Sequence, residues 1–351
     1  MIPANGGPAR HAGVVARAII AQAMCLMAGV FIATDQPANN VAERLQEARE
    51  HYKHARFGMA VTLLTQLADD NSLGRDDRRE VLYNLGRAYF AKNQNDKAEW
   101  ALSKLLELEP PAVSIDADAH CDKFMHLFYR AQKKKTGSDS LRTDPGIKTI
   151  AILDFKNRSV SEDAERFNPM EKGFPELLIS QLKGVISLRV VERERIQWLL
   201  DEIGMENDPG KFDVGTAVRV GKLLGAQSVL FGSFIKFKGK MTLLARLVKT
   251  ETGEIIATEQ MNGDADEFFD LAEKLSVKLT KKIDVAVSEA EIKKGTPTKS
   301  LDAMMAYSEG VALSAQGNYV KAIEKFQEAL NLDPTYEKAK VKIEALKPLI
   351  G

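Results

Sequence analysis

Apolar residues along this chain follow two rhythms. From Leu82 to Pro110 ("LYNLGRAYFAKNQNDKAEWALSKLLELEP") and from Ala306 to Pro334 ("AYSEGVALSAQGNYVKAIEKFQEALNLDP") they recur at helical spacing, in two segments each. The two stretches match step for step, Gly86, Ala98, Leu102, Leu105 and Pro110 corresponding to Gly310, Ala322, Phe326, Ala329 and Pro334. This predicts paired antiparallel helices: Gly and Ala allow close approach, Leu or Phe fills the gap, and Pro ends the second helix by removing a donor. Phe57, Ala60, Leu64 and Leu67 mark a degenerate copy upstream. A helix from Asp116 to Lys133 follows the first block, and a capping helix from Tyr336 to Lys347, stopped by Pro348, follows the last.

Between these blocks the period shifts to strands alternating with helices. "IKTIAILDF" (Ile147 to Phe155) reads as a buried strand, and Pro169 to Lys183 as a helix with Phe174, Leu177, Leu178 and Leu182 on one side. "LRVVE" is a second strand. Ile196, Leu199, Leu200 and Ile203 then form a helical stripe stopped by Gly204, and Thr216 to Leu224 a further helix ending at Gly225. "SVLFGSFIKF", "MTLLARLVKT" and "EIIATEQMNG" predict three antiparallel strands with short turns, Gly253 serving the second turn. A long amphipathic helix carrying Phe268, Ala272, Leu275, Leu279 and Ile283 closes the unit.

The strand-to-helix junction Glu192-Arg193-Glu194-Arg195 raises a question of chemistry. The sequence reading makes it the solvated first turn of a helix, with Glu favoured by the helix dipole and Glu192 and Arg193 tying strand to helix. Trp198 lies roughly 150 degrees from the centre of the apolar stripe, at about 100 degrees per residue. It is expected either to anchor a contact with a repeat block or another subunit, or to be covered by a neighbouring helix or linker of its own domain.

Composition places the chain among globular proteins: 351 residues, 44% hydrophobic, 28% charged, enough for two or three domains. Lys+Arg and Asp+Glu are both 49, so no net field attracts nucleic acid. Arg10, His11 and Arg17 precede the apolar run from Ala18 to Ala33, which has the length of a signal-peptide core. Export follows as an expectation, as a cleaved signal peptide or an uncleaved anchor, since Phe31 stands where a cut after Ala33 wants a small residue. Gln22-Ala23-Met24 before Cys25 is a poor lipidation signal. Two cysteines exclude a disulfide framework, and Cys121 reads as a small buried hydrophobe.

Catalytic constellations are missing. All five histidines, His11, His51, His54, His120 and His126, lie upstream of the central unit, and no cluster has metal-ligand spacing. "GTAVRVGK" (Gly215 to Lys222) has one residue too many between its glycines for a phosphate loop, and Leu223 stands where Ser or Thr would hold magnesium. The chain is therefore read as a non-enzyme, with no catalytic residue, cofactor or metal.

The helical blocks resemble tetratricopeptide repeats, whose period is about 34 residues. By register with that family, Tyr83, Arg87 and Phe90 would line an N-terminal groove and Tyr307 a C-terminal one, receiving proteins or peptides or covering adjacent helices. "IAILDFKNRS", "VVERERIQWLLDEIG", "VGKLLGAQSVLFGSF" and "RLVKTETGEII" resemble, in order and spacing, the CsgG family of curli-secretion outer-membrane lipoproteins, with TolB-like domains the nearest confusion. That resemblance implies a place in the periplasm or at the periplasmic face of the outer membrane. It also raises a pore-forming ring, for which no inserted hairpin is found.

The expected fold class is α+β: a central three-layer-type α/β domain with a mixed sheet, flanked by all-α helical-hairpin repeats. The expected division is a leader at 1–34, repeats at 40–133, a linker at 134–146, the CsgG-like domain at 147–287, a second linker at 288–298 and a C-terminal repeat with capping helix at 299–350. The expected role is an envelope scaffold or accessory protein for assembly or export of an envelope or extracellular polymer. A secretion-channel subunit and a periplasmic regulator of an envelope enzyme are the alternatives, and a homo-oligomer and outer-membrane association stay open.

Overall fold

The computed structural model describes residues 37–108, 115–137, 146–204 and 213–350. The chain divides into two units, Met1–Arg44 and Leu45–Gly351. Everything below concerns the second, which begins within helix α1 (Pro37–Lys53). The apolar run 18–33, Pro110 and most of the first expected linker lie outside the described residues.

Four helices, α1, α2 (Phe57–Ala68), α3 (Arg75–Ala91) and α4 (Asn95–Leu108), form the N-terminal block. The helix expected from Asp116 breaks into a 3₁₀ turn, Ala117–Ala119, and α5 (Asp122–Thr136). Asp116 and Cys121 stand outside these elements with extended backbone, so the chain redirects at His120–Cys121. In α3 the small Gly86 brings α4 close: a Cβ there would lie 3.2 Å from Leu102 Cδ2. Gly310 holds the same place in the C-terminal hairpin of α11 (Leu301–Ala315) and α12 (Tyr319–Leu332), where a Cβ would meet the Phe326 ring at 2.6 Å.

The central domain is a five-stranded sheet in the order β2-β1-β3-β4-β5. Its strands are β1 (Lys148–Asn157), β2 (Leu188–Val190), β3 (Ser228–Phe237), β4 (Lys240–Lys249) and β5 (Ile255–Asp264). β1 pairs parallel with β2 and β3, and β3, β4 and β5 pair antiparallel, so the sheet is mixed. Lys238 and Gly239, with φ of 44° and 76°, make the tight β3–β4 turn, whose twist matches the right-handed twist of the two hairpin strands.

One sheet face packs on α6 (Met170–Leu182) and α9 (Phe268–Lys281), where Phe155, Phe174 and Phe268 stack edge to face at 4.7 and 5.4 Å. The opposite face carries α7 (Arg193–Glu202) and α8 (Val214–Leu224) through the buried Ile196, Leu199, Val220 and Leu224. Gly221 permits this approach, since a Cβ there would sit 2.5 Å from Val229. Pairing of β1 with β3 shifts between Ile152 and Phe155, a bulge of one extra residue. It returns Phe155 to the face of Ile150 and Ile152.

The stretch expected as a second linker is partly structured. It forms α10 (Glu289–Lys294), opened by a capping box between Ser288 and Glu291, and buries Ile292 in the central core. Past it, Met304 and Met305 of α11 enter the same core, and α13 (Glu337–Leu346) packs on the 3₁₀ turn at Ala117–Ala119. Repeat helices far apart in sequence thus close on one another across the central domain.

Candidate interaction site

The four charges Glu192–Arg195 are not a solvated turn, and the structure corrects that expectation. Arg193 and Arg195 are each 7% exposed. The backbone reason is that β2 ends against β1, so the first turn of α7 starts inside the junction between the three blocks. Successive side chains then leave the turn about 100 degrees apart, and each meets a different element. Tyr129 of α5 donates to Glu192 at 3.2 Å, and Arg193 pairs with Asp154 at the β1 bulge. Lys342 of α13 reaches Glu194 at 3.2 Å, and Arg195 donates to Gln132 of α5 at 2.7 Å. One turn of helix therefore joins the central sheet to both repeat blocks.

Charges on α13 complete the lock. Lys342 also donates to the carbonyls of Ala117 and His120, at 3.3 Å each. Lys338, one turn earlier, pairs with Glu176 of α6 at 2.5 Å and with Asp118 at 3.6 Å. Burial disfavours both ammonium groups, but the carboxylates around them, Glu194 nearest Lys342 and Glu176 nearest Lys338, outweigh it and hold both pKa values above the ordinary lysine range. Burial, with Glu194 beside it, pushes the Glu192 carboxyl up.

Trp198, off the apolar stripe of α7, is nevertheless only 3% exposed. Its ring lies 5.8 Å from that of Tyr129 in α5, and the Lys133 ammonium stands 5.7 Å from its centroid. Sequence periodicity treated α7 as a helix with one apolar face, whereas α5 covers the side away from the sheet.

Groove candidates are likewise met by the chain itself. Tyr83 hydrogen-bonds His120 Nε2 at 2.7 Å, and Phe90 packs edge-on against Phe124 at 5.5 Å. The Arg87 guanidinium sits over Tyr52 at 4.4 Å and beside Tyr83 at 5.6 Å. Burial, with Arg87 and Lys342 nearby, depresses the His120 pKa to about 3 and keeps the ring neutral. Tyr307 lies in no groove: at 1% exposure it packs between Phe326 and Tyr336, at 5.3 and 4.9 Å. Its aromatic neighbours in α12 and at the start of α13 form a core that a single repeat needs.

Large apolar residues do face outward elsewhere on the repeats. Trp100 of α4 is 50% exposed and Met59 of α2 56%. Helical spacing could have flagged Trp100, which lies between the buried Glu99 and Ala101 but on the side of α4 turned from α3. No described helix is long and apolar enough to cross a membrane.

An α/β domain with a mixed sheet, clasped by helical repeats, defines the class. Residues 139–242 match the family described as curli production assembly/transport component CsgG, and tetratricopeptide-repeat families match residues 45–112 and 305–336. The chain therefore carries a CsgG domain with tetratricopeptide repeats on both sides. Among solved structures it is similar to the LpoB C-terminal domain from Salmonella enterica, at 18% identity over 38% of this chain and 91% of that one, with a TM-score of 0.27. The LpoB C-terminal domain from Escherichia coli gives 18% identity over 43% and 99%, with a TM-score of 0.28. No curated protein matches the chain.

Proposed function

We propose that this protein is a non-enzymatic scaffold or accessory protein of the cell envelope, acting in assembly or export of an envelope or extracellular polymer through protein–protein contacts. The observation that carries this reading is the charge-locked junction at Glu192–Arg195. Three blocks of sequence are tied into one body, the C-terminal repeat by the Lys342–Glu194 and Lys338–Glu176 ion pairs and α5 by the Tyr129–Glu192 and Arg195–Gln132 hydrogen bonds, with Tyr83 and Phe90 of the N-terminal repeats met by the chain itself. Such a body offers partners a fixed outer surface, and Trp100 and Met59 are its apolar points on the N-terminal repeats. The CsgG domain supports an envelope location. Strands β3, β4 and β5 have one face committed to α9 and to the core, which favours a scaffold over a channel subunit.

Analytical ultracentrifugation after membrane fractionation, with and without detergent, tests the proposal. A soluble monomer or small oligomer that co-purifies with a multicomponent envelope assembly is expected. A detergent-dependent ring of many subunits would replace the scaffold with the channel, and a single enzyme as partner would favour the regulator.

A further inference from the structure

We propose that the small cavity enclosed by α5, α6, α7, α11 and α13 is a proton-uptake site, the Asp122 carboxylate being the acceptor, and that protonation tightens the C-terminal repeat block against the rest of the chain. The cavity, of ≈ 20 Å³, has room for a single water. It is lined by Asp122 of α5, Lys172 and Glu176 of α6, Arg193, Glu194 and Gln197 of α7, Tyr307, Val311, Ala312 and Ala315 of α11, and Lys342 of α13.

Most of these charges are already committed. Arg193 belongs to Asp154, Lys342 to Glu194 and two backbone carbonyls, and Glu176 to Lys338. Two groups are left over. Lys172 and Asp122 both line the cavity, yet they form no ion pair with one another, and Asp122 is 6% exposed. On its own segment the neighbours of Asp122 are the buried thiol of Cys121 and, beyond it, Asp118, which is held by Lys183 and Lys338. His120 faces the other way, toward Tyr83 and Phe124. A carboxylate taken out of bulk water with no cation paired to it favours its neutral form. Burial, reinforced by Glu194, raises the Asp122 pKa to about 6 against the opposing pull of Lys342, Lys172 and Arg193.

The sign follows. A carboxyl whose pKa is higher with the block closed than with it open binds its proton more tightly in the closed form, so closure strengthens as pH falls through about 6 toward the ordinary carboxyl value and is nearly constant above about 7. Opening exposes Asp122 because α11 and α13 supply the covering wall. The start of α11 stays anchored by Met304 and Met305, so the loosening concerns α13 and the end of α11. Between pH 7 and pH 5 the closing equilibrium shifts by about tenfold for a carboxyl moved from its ordinary range to about 6.

Hydrogen exchange of the full chain at pH 5 and 7, followed on α13 and corrected for intrinsic rates, tests the inference against Asp122→Asn, which cannot take up the proton. The wild type is expected to gain about tenfold more protection on acidification than the variant, which is already tight at pH 7. Equal pH dependence in the two proteins would overturn the proposal. Should the variant fold poorly, carbonyl ¹³C titration of Asp122 in the wild type decides: a midpoint near 4 overturns it, and one near 6 that moves with the α13 signals supports it.

Discussion

Replacing Arg193 by Leu is the sharpest test of the junction. Arg193 and Asp154 are 7% and 2% exposed, their pair spans the contact between α7 and the β1 bulge, and Asp154 Oδ2 already has no partner. Removing the cation strands a buried carboxylate and should cost about 3–5 kcal/mol. At roughly 2–4 °C per kcal/mol for a large unit, the melting point should fall by about 6–20 °C. Asp154→Leu alone strands the guanidinium and should cost a similar amount. The double variant removes both charges from a low-dielectric site and should return to within about 1 kcal/mol of the wild type. Urea unfolding followed by fluorescence suits the cycle, since Trp198 sits in the same helix. If the double variant loses the sum of the two single losses, the pair is not the coupled unit that the geometry describes.

Four further outcomes follow from the same coordinates. Trp198→Ala should lose about 3–5 kcal/mol by emptying the contact with α5, without altering association; calorimetry beside sedimentation separates the two effects. Trp100→Ala should change stability by less than about 0.5 kcal/mol yet weaken capture of envelope partners, and unchanged capture would remove Trp100 from the proposed surface. Gly310→Ala should cost about 1–3 kcal/mol because its Cβ would press on the Phe326 ring at 2.6 Å, whereas Gly86→Ala, at 3.2 Å from Leu102, should cost less; thermal melts of the pair check the order. His120, held neutral with a pKa of about 3, withdraws stability as pH falls below its ordinary value near 6.5, at up to about 1.4 kcal/mol per pH unit, and His120→Gln should flatten that acid loss in a pH series of urea midpoints.

The repeats were legible because their determinants are local. Gly86 and Gly310 mark helix contacts whose partners, Leu102 and Phe326, lie sixteen residues away in the same hairpin. The strands of the central sheet announced themselves as apolar runs, and the turn glycines sit where the backbone turns left-handed, Gly225 at φ 70° and Gly253 at φ 75°. Asp154 inside the otherwise apolar "IAILDF" is itself a signal: a lone acid in a buried strand calls for a cation, and Arg193 is that cation. The burial of Trp198 and Tyr307 was not legible for one reason, that helical spacing shows which residues share a side of a helix but not how many sides are covered.

Apart from α10 and the break at His120–Cys121, sequence by itself determined the elements, their order and the families they resemble, since capping, periodicity and turn chemistry act within a few residues. Tertiary structure alone decided what the charges at Glu192–Arg195 do. Their partners Gln132, Asp154 and Lys342 come from three separate stretches of chain, and only the closure of α5 and α13 over α7 takes these side chains out of water. Burial, not residue type, sets the worth of a charge, and burial belongs to the assembled fold.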